Sequence, residues 1–284
     1  MKRESIGTIA SRAVFIISLL LVGCTESKIS DRFVEINGKS QHILDEGSEQ
    51  PVVVFVTGFG DDLHAYDGIR KSLSKTTRTF SYDRAGLGKS ELTTKNRSLD
   101  TLVFELNQIL TQENMPEPYV LVGHSYGGHI VRYFAHLYPE KVGGIVLIDP
   151  SVEFLDTEIR NSKTPAEIES YDSLYEHGRD PSWTEGVSRE ANYFRENEKL
   201  LREKGIQFPQ NIPTTVITAM NMGESSFKFL RGVSKIKADL HKRWVSNSPH
   251  IRLVLAQKSG HYVHYDEPQL VIDEVTAVVG TQRN

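Results

Sequence analysis

Cysteine is nearly missing from this chain: Cys24 is the one thiol in 284 residues. No internal disulfide can form, so packing alone has to hold the fold. Runs of five or more Lys or Arg are absent, and 33 Lys plus Arg stand against 37 Asp plus Glu, a formal charge of −4. That balance removes the electrostatic reason to expect nucleic acid, which needs a basic face. Neither internal repeats nor low-complexity tracts occur. With 21 Gly, 11 Pro, 25% charged and 38% hydrophobic residues, collagen-like and disordered classes are excluded. The length suits one large α/β unit, which routinely passes 200 residues.

A long apolar run is also lacking at the N-terminus, where a shorter one stands. Lys2, Arg3 and Arg12 precede Ala13 to Val22, which is apolar except for Ser18. The uncharged window Ala13 to Thr25 covers 13 residues, whereas a bilayer-spanning helix needs about 20. A basic start before a short apolar run is the layout of a secretory signal peptide. It ends in Leu21-Val22-Gly23-Cys24, which resembles the lipobox of bacterial lipoproteins. That resemblance implies cleavage before Cys24, a diacylglycerol on its thiol, and a domain held at a membrane of the cell envelope outside the cytoplasm.

The remainder alternates strand and helix. Arg32–Ile36 and Gln41–Leu44 flank Asn37-Gly38, a strong hairpin signal because both turn residues tolerate positive φ. Val52–Val56, Thr79–Tyr82, Tyr119–Val122, Gly144–Ile148, Thr214–Thr218 and Ile251–Leu255 are apolar runs suited to parallel strands buried on both faces. Between them lie helical spacings: Leu99, Leu102, Val103, Leu106, Ile109 and Leu110 behind a Ser98 cap; Ile130, Val131, Phe134 and Leu137; and Val271, Val275 and Val278 after Pro268. The pattern predicts a mostly parallel sheet with helices on both faces. Ser151 to Asn211 holds no convincing strand and reads as a helical insertion over one sheet edge. Its Tyr171, Tyr175, Trp183, Tyr193 and Phe194 either line a pocket or form the insertion's own core.

The chemistry concentrates where the strand Tyr119–Val122 runs into Gly123-His124-Ser125-Tyr126-Gly127-Gly128 and then a helix. G-x-S-x-G between strand and helix is a nucleophile elbow. Its strained turn lifts the serine hydroxyl above the sheet, and side chains two positions either side would strike neighbouring backbone. The same turn aims the Tyr126 amide and the helix N-terminus at a developing anion.

With that motif in place, the chain from about Phe33 to Gly280 resembles the α/β-hydrolase fold superfamily. The resemblance implies a second oxyanion amide after the strand Val52–Val56, at Phe59 in Thr57-Gly58-Phe59-Gly60, where relatives commonly carry His-Gly instead of Thr57-Gly58. Tyr82-Asp83-Arg84-Ala85-Gly86-Leu87-Gly88-Lys89-Ser90 also matches a family loop. Its Gly88-Lys89-Ser90 ends like a P-loop, but the first glycine of that motif would fall on Asp83, so no nucleotide is expected.

A serine hydroxyl needs a base. Among ten histidines, His261 follows the strand Ile251–Leu255 and precedes the last helix. Strand C-termini of an open α/β sheet converge on one crevice, so a loop there can meet Ser125 across 136 residues of sequence. The family's histidine sits at this point. His264 is its local rival, and without a third ligand at helical spacing the two suggest no metal. His124 precedes the nucleophile and should point away from it. The orienting acid must be a carboxylate at another strand end. The family's commonest place follows Thr214–Thr218, where only Glu224 is present; some members use the preceding strand end, which here delivers Asp149. Asp149 is therefore the expected acid and Glu224 the alternative, with Glu153 and Asp156 behind them.

The expected organisation is a lipoprotein signal peptide over 1–23, a tether over 24–32, an α/β-hydrolase core over 33–150 and 212–284, and a helical lid over 151–211. The expected activity is hydrolysis of carboxylic ester or related acyl bonds through Ser125, His261 and Asp149, with the Phe59 and Tyr126 amides as oxyanion hole. It calls for no cofactor and no metal. The partners expected are a small-molecule ester and, through lipid on Cys24, a membrane; nothing specifies an oligomeric state. Epoxide hydrolases and haloalkane dehalogenases of this fold use an aspartate nucleophile, so Ser125 speaks against both. Peptidase, thioesterase, lactonase, perhydrolase and hydroxynitrile lyase chemistries, or a non-catalytic tethered binding protein of the same fold, are the alternatives.

Overall fold

The computed structural model describes residues 29–169, 172, 181–209, 211–221, 233–246 and 248–283. The apolar runs become an eight-stranded sheet: β1 (Ile29–Ile36), β2 (Lys39–Glu46), β3 (Val52–Val56), β4 (Arg78–Tyr82), β5 (Tyr119–His124), β6 (Val142–Ile148), β7 (Thr214–Ala219) and β8 (Ile251–Ala256). Their order across the sheet is β1-β2-β4-β3-β5-β6-β7-β8. β1 pairs antiparallel with β2, and β2 with β4, while every other neighbouring pair is parallel. Asn37 and Gly38 turn the hairpin at φ of 54° and 71°. β1 begins earlier than the sequence suggested. Residues 29–32, expected as part of a tether, pair with 43–46 of β2, because backbone ladder bonds extend the strand past its apolar stretch.

Helices cover both faces: α1 (Asp67–Leu73), α2 (Leu99–Gln112), α3 (Gly127–Leu137), α4 (Leu155–Ser162), α5 (Glu185–Lys204), α6 (Val233–Ser246), α7 (Val263–Asp266) and α8 (Pro268–Thr281). Period-two alternation divides the strand side chains between two cores. Val54, Val56, Leu121 and Leu147 pack with Leu102, Val103 and Leu106 of α2 and Ile130, Val131 and Phe134 of α3. Val53, Phe55, Val120, Val122, Val146 and Ile148 pack on the opposite face with Ile69 and Leu73 of α1 and Val271, Val275 and Val278 of α8. Each fully buried aliphatic or aromatic side chain contributes about 1.5–3 kcal/mol, so both central-strand faces are strongly committed. Ser98 caps α2 by accepting from the Thr101 N–H.

Between 151 and 211 the described residues form helices α4 and α5 and a helical turn at 165–169, with no strand. Tyr171 and Tyr175 lie outside the described residues. α6 follows β7 and buries Val233, Lys237, Ala238, Leu240 and His241. The C-terminal ends of β3, β5, β6 and β8 share one sheet edge, and the loops leaving them carry Phe59, Ser125, Asp149 and His261. Among the described residues no helix is long and apolar enough to cross a membrane.

Candidate active site

Ser125 sits one residue past β5 at φ 50°, a left-handed backbone that costs a non-glycine residue about 1–3 kcal/mol. Close approach explains the flanking glycines. A Cβ on Gly123 would lie 2.8 Å from the Gly127 carbonyl oxygen, and one on Gly127 would lie 2.2 Å from that of Val56. No L side chain fits either place without moving backbone. The turn is held by the Ser125 N–H donating to Ile148 O (3.1 Å), and by the Gly128 and Ser151 N–H groups donating to Ser125 O at 2.9 and 3.0 Å. α3 starts directly after Tyr126, so the Tyr126 amide belongs to the unpaired donors of a helix N-terminus.

His261 bridges the serine and a carboxylate. Its Nε2 lies 2.9 Å from Ser125 Oγ, and its Nδ1 lies 2.6 Å from Asp149 Oδ2. Asp149 follows β6 with φ 40° and is fully buried. Its Oδ1 accepts from the Ala219 N–H at 3.1 Å, and its Oδ2 accepts a second bond, 2.5 Å, from Lys237 Nζ of α6. Burial by itself would raise the Asp149 pKa. The Lys237 ammonium and the His261 hydrogen bond outweigh it and hold the carboxyl well below the usual carboxylate range. For His261 the order reverses: desolvation lowers its pKa, the Asp149 bond opposes, and Lys237 and His124 push it lower, leaving it below the ordinary imidazole value.

The loop after β3 lies beside the serine turn, since Val56 pairs with Gly123. Gly58 leaves it room: a Cβ there would sit 2.7 Å from Asp61 Oδ2 and 2.8 Å from His124 Nδ1. With Thr57 in place of a histidine, Arg84 braces the loop. Its guanidinium donates to Thr57 O and Oγ1 (both 2.8 Å) and to Gly58 O (2.7 Å). Glu190 of α5 balances the charge through contacts of 2.5 and 2.9 Å, with both partners essentially buried. The rest of that family loop is closed by Asp83, whose carboxylate accepts from the Leu63 and Lys89 amides and whose oxygens fill the space beside Gly88.

The other candidates are placed elsewhere. His124 donates from Nε2 to His261 O (3.0 Å), so it supports the histidine loop rather than the serine. His264 is buried against His124 and Tyr66 with no hydrogen-bond partner on either nitrogen among the described residues, and burial pulls its pKa down to about 2. Glu153 pairs with Arg132 (2.6 Å) and Asp156 with Arg160 (3.0 Å). Glu224 lies outside the described residues. Trp183 and Phe194 meet the Phe59 ring edge-on at 5.4 and 6.1 Å, and Phe194 stacks on Tyr126 at 5.1 Å. A cavity of about 200 Å³ opens beside Phe194, bordered by Val152 and Leu155 and otherwise mostly by charged side chains, among them Arg160, Glu198 and Arg202. Among the described residues no cluster of three or more histidines, cysteines or carboxylates could hold a metal. Sequence reading missed Lys237, Arg84 and Glu190. The signal for Lys237 was a lysine on the buried face, at the spacing Val233, Lys237, Leu240, His241.

Comparison with known proteins agrees with this topology. A family model described as alpha/beta hydrolase fold matches residues 51–168. The uncharacterised protein YqjL of Bacillus subtilis is 28% identical over 232 residues, 80% of this chain and 82% of that one. An AB hydrolase superfamily protein of Gibberella zeae is 25% identical, covering 81% and 87% of the two chains. The Cif epoxide hydrolase from Acinetobacter nosocomialis superposes with a TM-score of 0.65 over 88% of this chain and 89% of its own; at 15% identity the likeness is one of fold.

Proposed function

We propose that the chain, whose residues 51–168 match the alpha/beta hydrolase fold model, is a serine hydrolase cleaving carboxylic esters or closely related acyl compounds. The observation that carries this reading is the continuous hydrogen-bonded line from Ser125 Oγ through His261 to Asp149. In the proposed reaction Ser125 Oγ attacks the acyl carbon while its proton passes to His261 Nε2. Asp149 holds the ring with Nε2 toward the serine and stabilises the imidazolium. The carbonyl oxygen, now an oxyanion, takes hydrogen bonds from the Phe59 and Tyr126 amides. Collapse expels the alkoxide, which recovers its proton from His261 and leaves the acyl group on Ser125. A water that gives its proton to the same imidazole then releases the carboxylate and regenerates the serine.

An ester is favoured over the aspartate-dependent chemistry of epoxide hydrolases because the residue at the elbow is a serine. The aromatic set Phe59, Tyr126, Trp183 and Phe194 supports an apolar acyl or aryl group beside the serine, with α5 of the proposed lid as one wall. The lipobox-like Leu21-Val22-Gly23-Cys24 lies outside the described residues; it supports the further proposal of a lipid on Cys24 and a site in the cell envelope.

Fluorophosphonate labelling and a chain-length series of p-nitrophenyl esters test the reading. Wild type should label and turn over at least one ester, and Ser125→Ala should lose labelling and about 10⁴-fold or more of kcat/KM. Turnover that Ser125→Ala retains would refute it.

A further inference from the structure

A buried charge lies just outside the three-residue line. Lys237 is 5% exposed, and its Nζ contacts Asp149 Oδ2 at 2.5 Å and the Asp149 main-chain oxygen at 3.4 Å. Oδ2 is the same atom that accepts from His261 Nδ1. A buried ammonium is costly unless paired and hydrogen-bonded, and here its partner is the carboxylate that the proposed mechanism needs.

Among the described residues, no other titratable side chain bonds the Asp149 carboxylate. At the end of β5, His124 donates to His261 O, and Asp61 Oδ2 lies 3.7 Å from its Nδ1. On the histidine's own loop, Tyr262 and His264 contact it or its neighbour His124, and His264 has no hydrogen-bond partner among the described residues. On α6, His241 donates from Nε2 to Pro150 O (3.3 Å) and accepts at Nδ1 from Thr218 Oγ1 (2.6 Å). That hydrogen-bond pattern is satisfied by the neutral ring, and burial drives the His241 pKa down to about 3. From β7, only the Ala219 amide reaches the carboxylate. Among the described residues, Lys237 is therefore the lysine or arginine in direct contact with the acid of the proposed triad.

We propose that Lys237 is a positioning residue of the proposed serine-hydrolase site, fixing Asp149 in the rotamer that meets His261 and sharing its negative charge, and so setting the pH at which the base becomes competent. The inference rests on that reading of the site. The shared oxygen is the physical reason: a carboxylate already neutralised by an ammonium stabilises an imidazolium less than a free one does. The ring then stays neutral, and able to take the serine proton, into more acidic solution. This agrees with the lowered His261 pKa, to which Lys237 contributes.

The test compares wild type with Lys237→Met and Lys237→Arg. The His261 ring is titrated by NMR, with its resonance assigned against His261→Ala, and the acid limb of kcat/KM is followed on a p-nitrophenyl ester. Removing the cation stabilises the imidazolium, so the base is lost at higher pH. Lys237→Met should raise both midpoints by about one pH unit, and Lys237→Arg, which keeps the charge, should restore the wild-type midpoint. A role confined to packing would lower rates with the midpoint unchanged, and an unchanged or lowered midpoint overturns the proposal. If Lys237→Met does not fold, Lys237→Gln, which keeps a donor to Asp149 without charge, must show the same rise. If neither folds, the wild-type ring must titrate below the ordinary value of about 6.5, and titration at or above it overturns the proposal. Absence of Ser125-dependent hydrolysis would sink the serine-hydrolase reading instead, while the NMR midpoints would still report on the Lys237–Asp149–His261 coupling.

Discussion

Asp149 shows how one side chain can be given two tasks. It orients His261 and it neutralises Lys237, and both bonds use Oδ2. An amide in its place affects more than the proposed catalysis. Asp149→Asn leaves an ammonium buried without a counter-ion, a change that costs about 3–5 kcal/mol, and it lowers kcat by about 10³–10⁴-fold through loss of the oriented imidazole. The expectation is that Asp149→Asn/Lys237→Met recovers most of the lost stability in denaturant melts while kcat stays low. Recovery of kcat by the double variant would show that the carboxylate matters only for folding. The sign of the pH effect follows from the same residue. Its carboxyl is held below the ordinary range, so its stabilisation is present above about pH 4 and is lost as pH falls through the lowered native value.

Among the elements, α5 and the loop after β3 are joined by the buried Arg84–Glu190 pair. Arg84 holds Thr57 and Gly58 by their carbonyls, and the next residue, Phe59, carries the proposed oxyanion amide. The brace thus links the insertion to the proposed catalytic loop. Glu190→Gln leaves the guanidinium buried with a neutral partner. It should cost about 3 kcal/mol in a thermal or denaturant melt and lower kcat by up to about 10²-fold with KM little changed, read by steady-state kinetics on a soluble ester. Unchanged kcat would show that the loop holds its place without the pair. The apolar strands and α2, α3 and α8 were readable because their periodicity is uninterrupted. α6 was not, because Lys237 and His241 stand at core positions and break its apolar stripe. Only their partners Asp149, Thr218 and Pro150, far away in sequence, make those positions tolerable.

For the whole molecule, the strand register places the start of β1 at the end of the sheet away from the candidate site, which bears on the proposed lipid at Cys24. β1 runs parallel to β4 because both are antiparallel to β2. Ile29 therefore lies at the end where the parallel strands begin, beside Glu46 and close to Thr79, and Ser125, Asp149 and His261 lie past the ends where they finish. Cys24 is five residues before Ile29, a reach of at most about 17 Å. A lipid on Cys24 would hold the base of the sheet toward the bilayer and turn the site toward the aqueous side. The intact mass of the protein from the native envelope should show an acylated N-terminal Cys24. The tethered and proteolytically released forms should hydrolyse a soluble ester at rates within about twofold, since binding at a remote face leaves the barrier of the reaction unchanged. An unmodified Cys24 removes the tether.

Local sequence determined the strands, helices α2, α3 and α8, the serine elbow and the histidine loop, because each is written in a contiguous pattern: alternating or helical apolar spacing, glycines where a Cβ would strike backbone, and a histidine directly past a strand. What only the tertiary structure decided is which distant groups share one atom or one carbonyl. Asp149 and Lys237 are 88 residues apart, and Arg84 and Glu190 are 106 apart. Neither pairing has a local signature, since charges find partners only after the sheet order has brought the strand ends together. The physical reason is burial. An ionised group in the interior must have a counter-charge, and the fold, not the neighbouring sequence, determines which one is within reach.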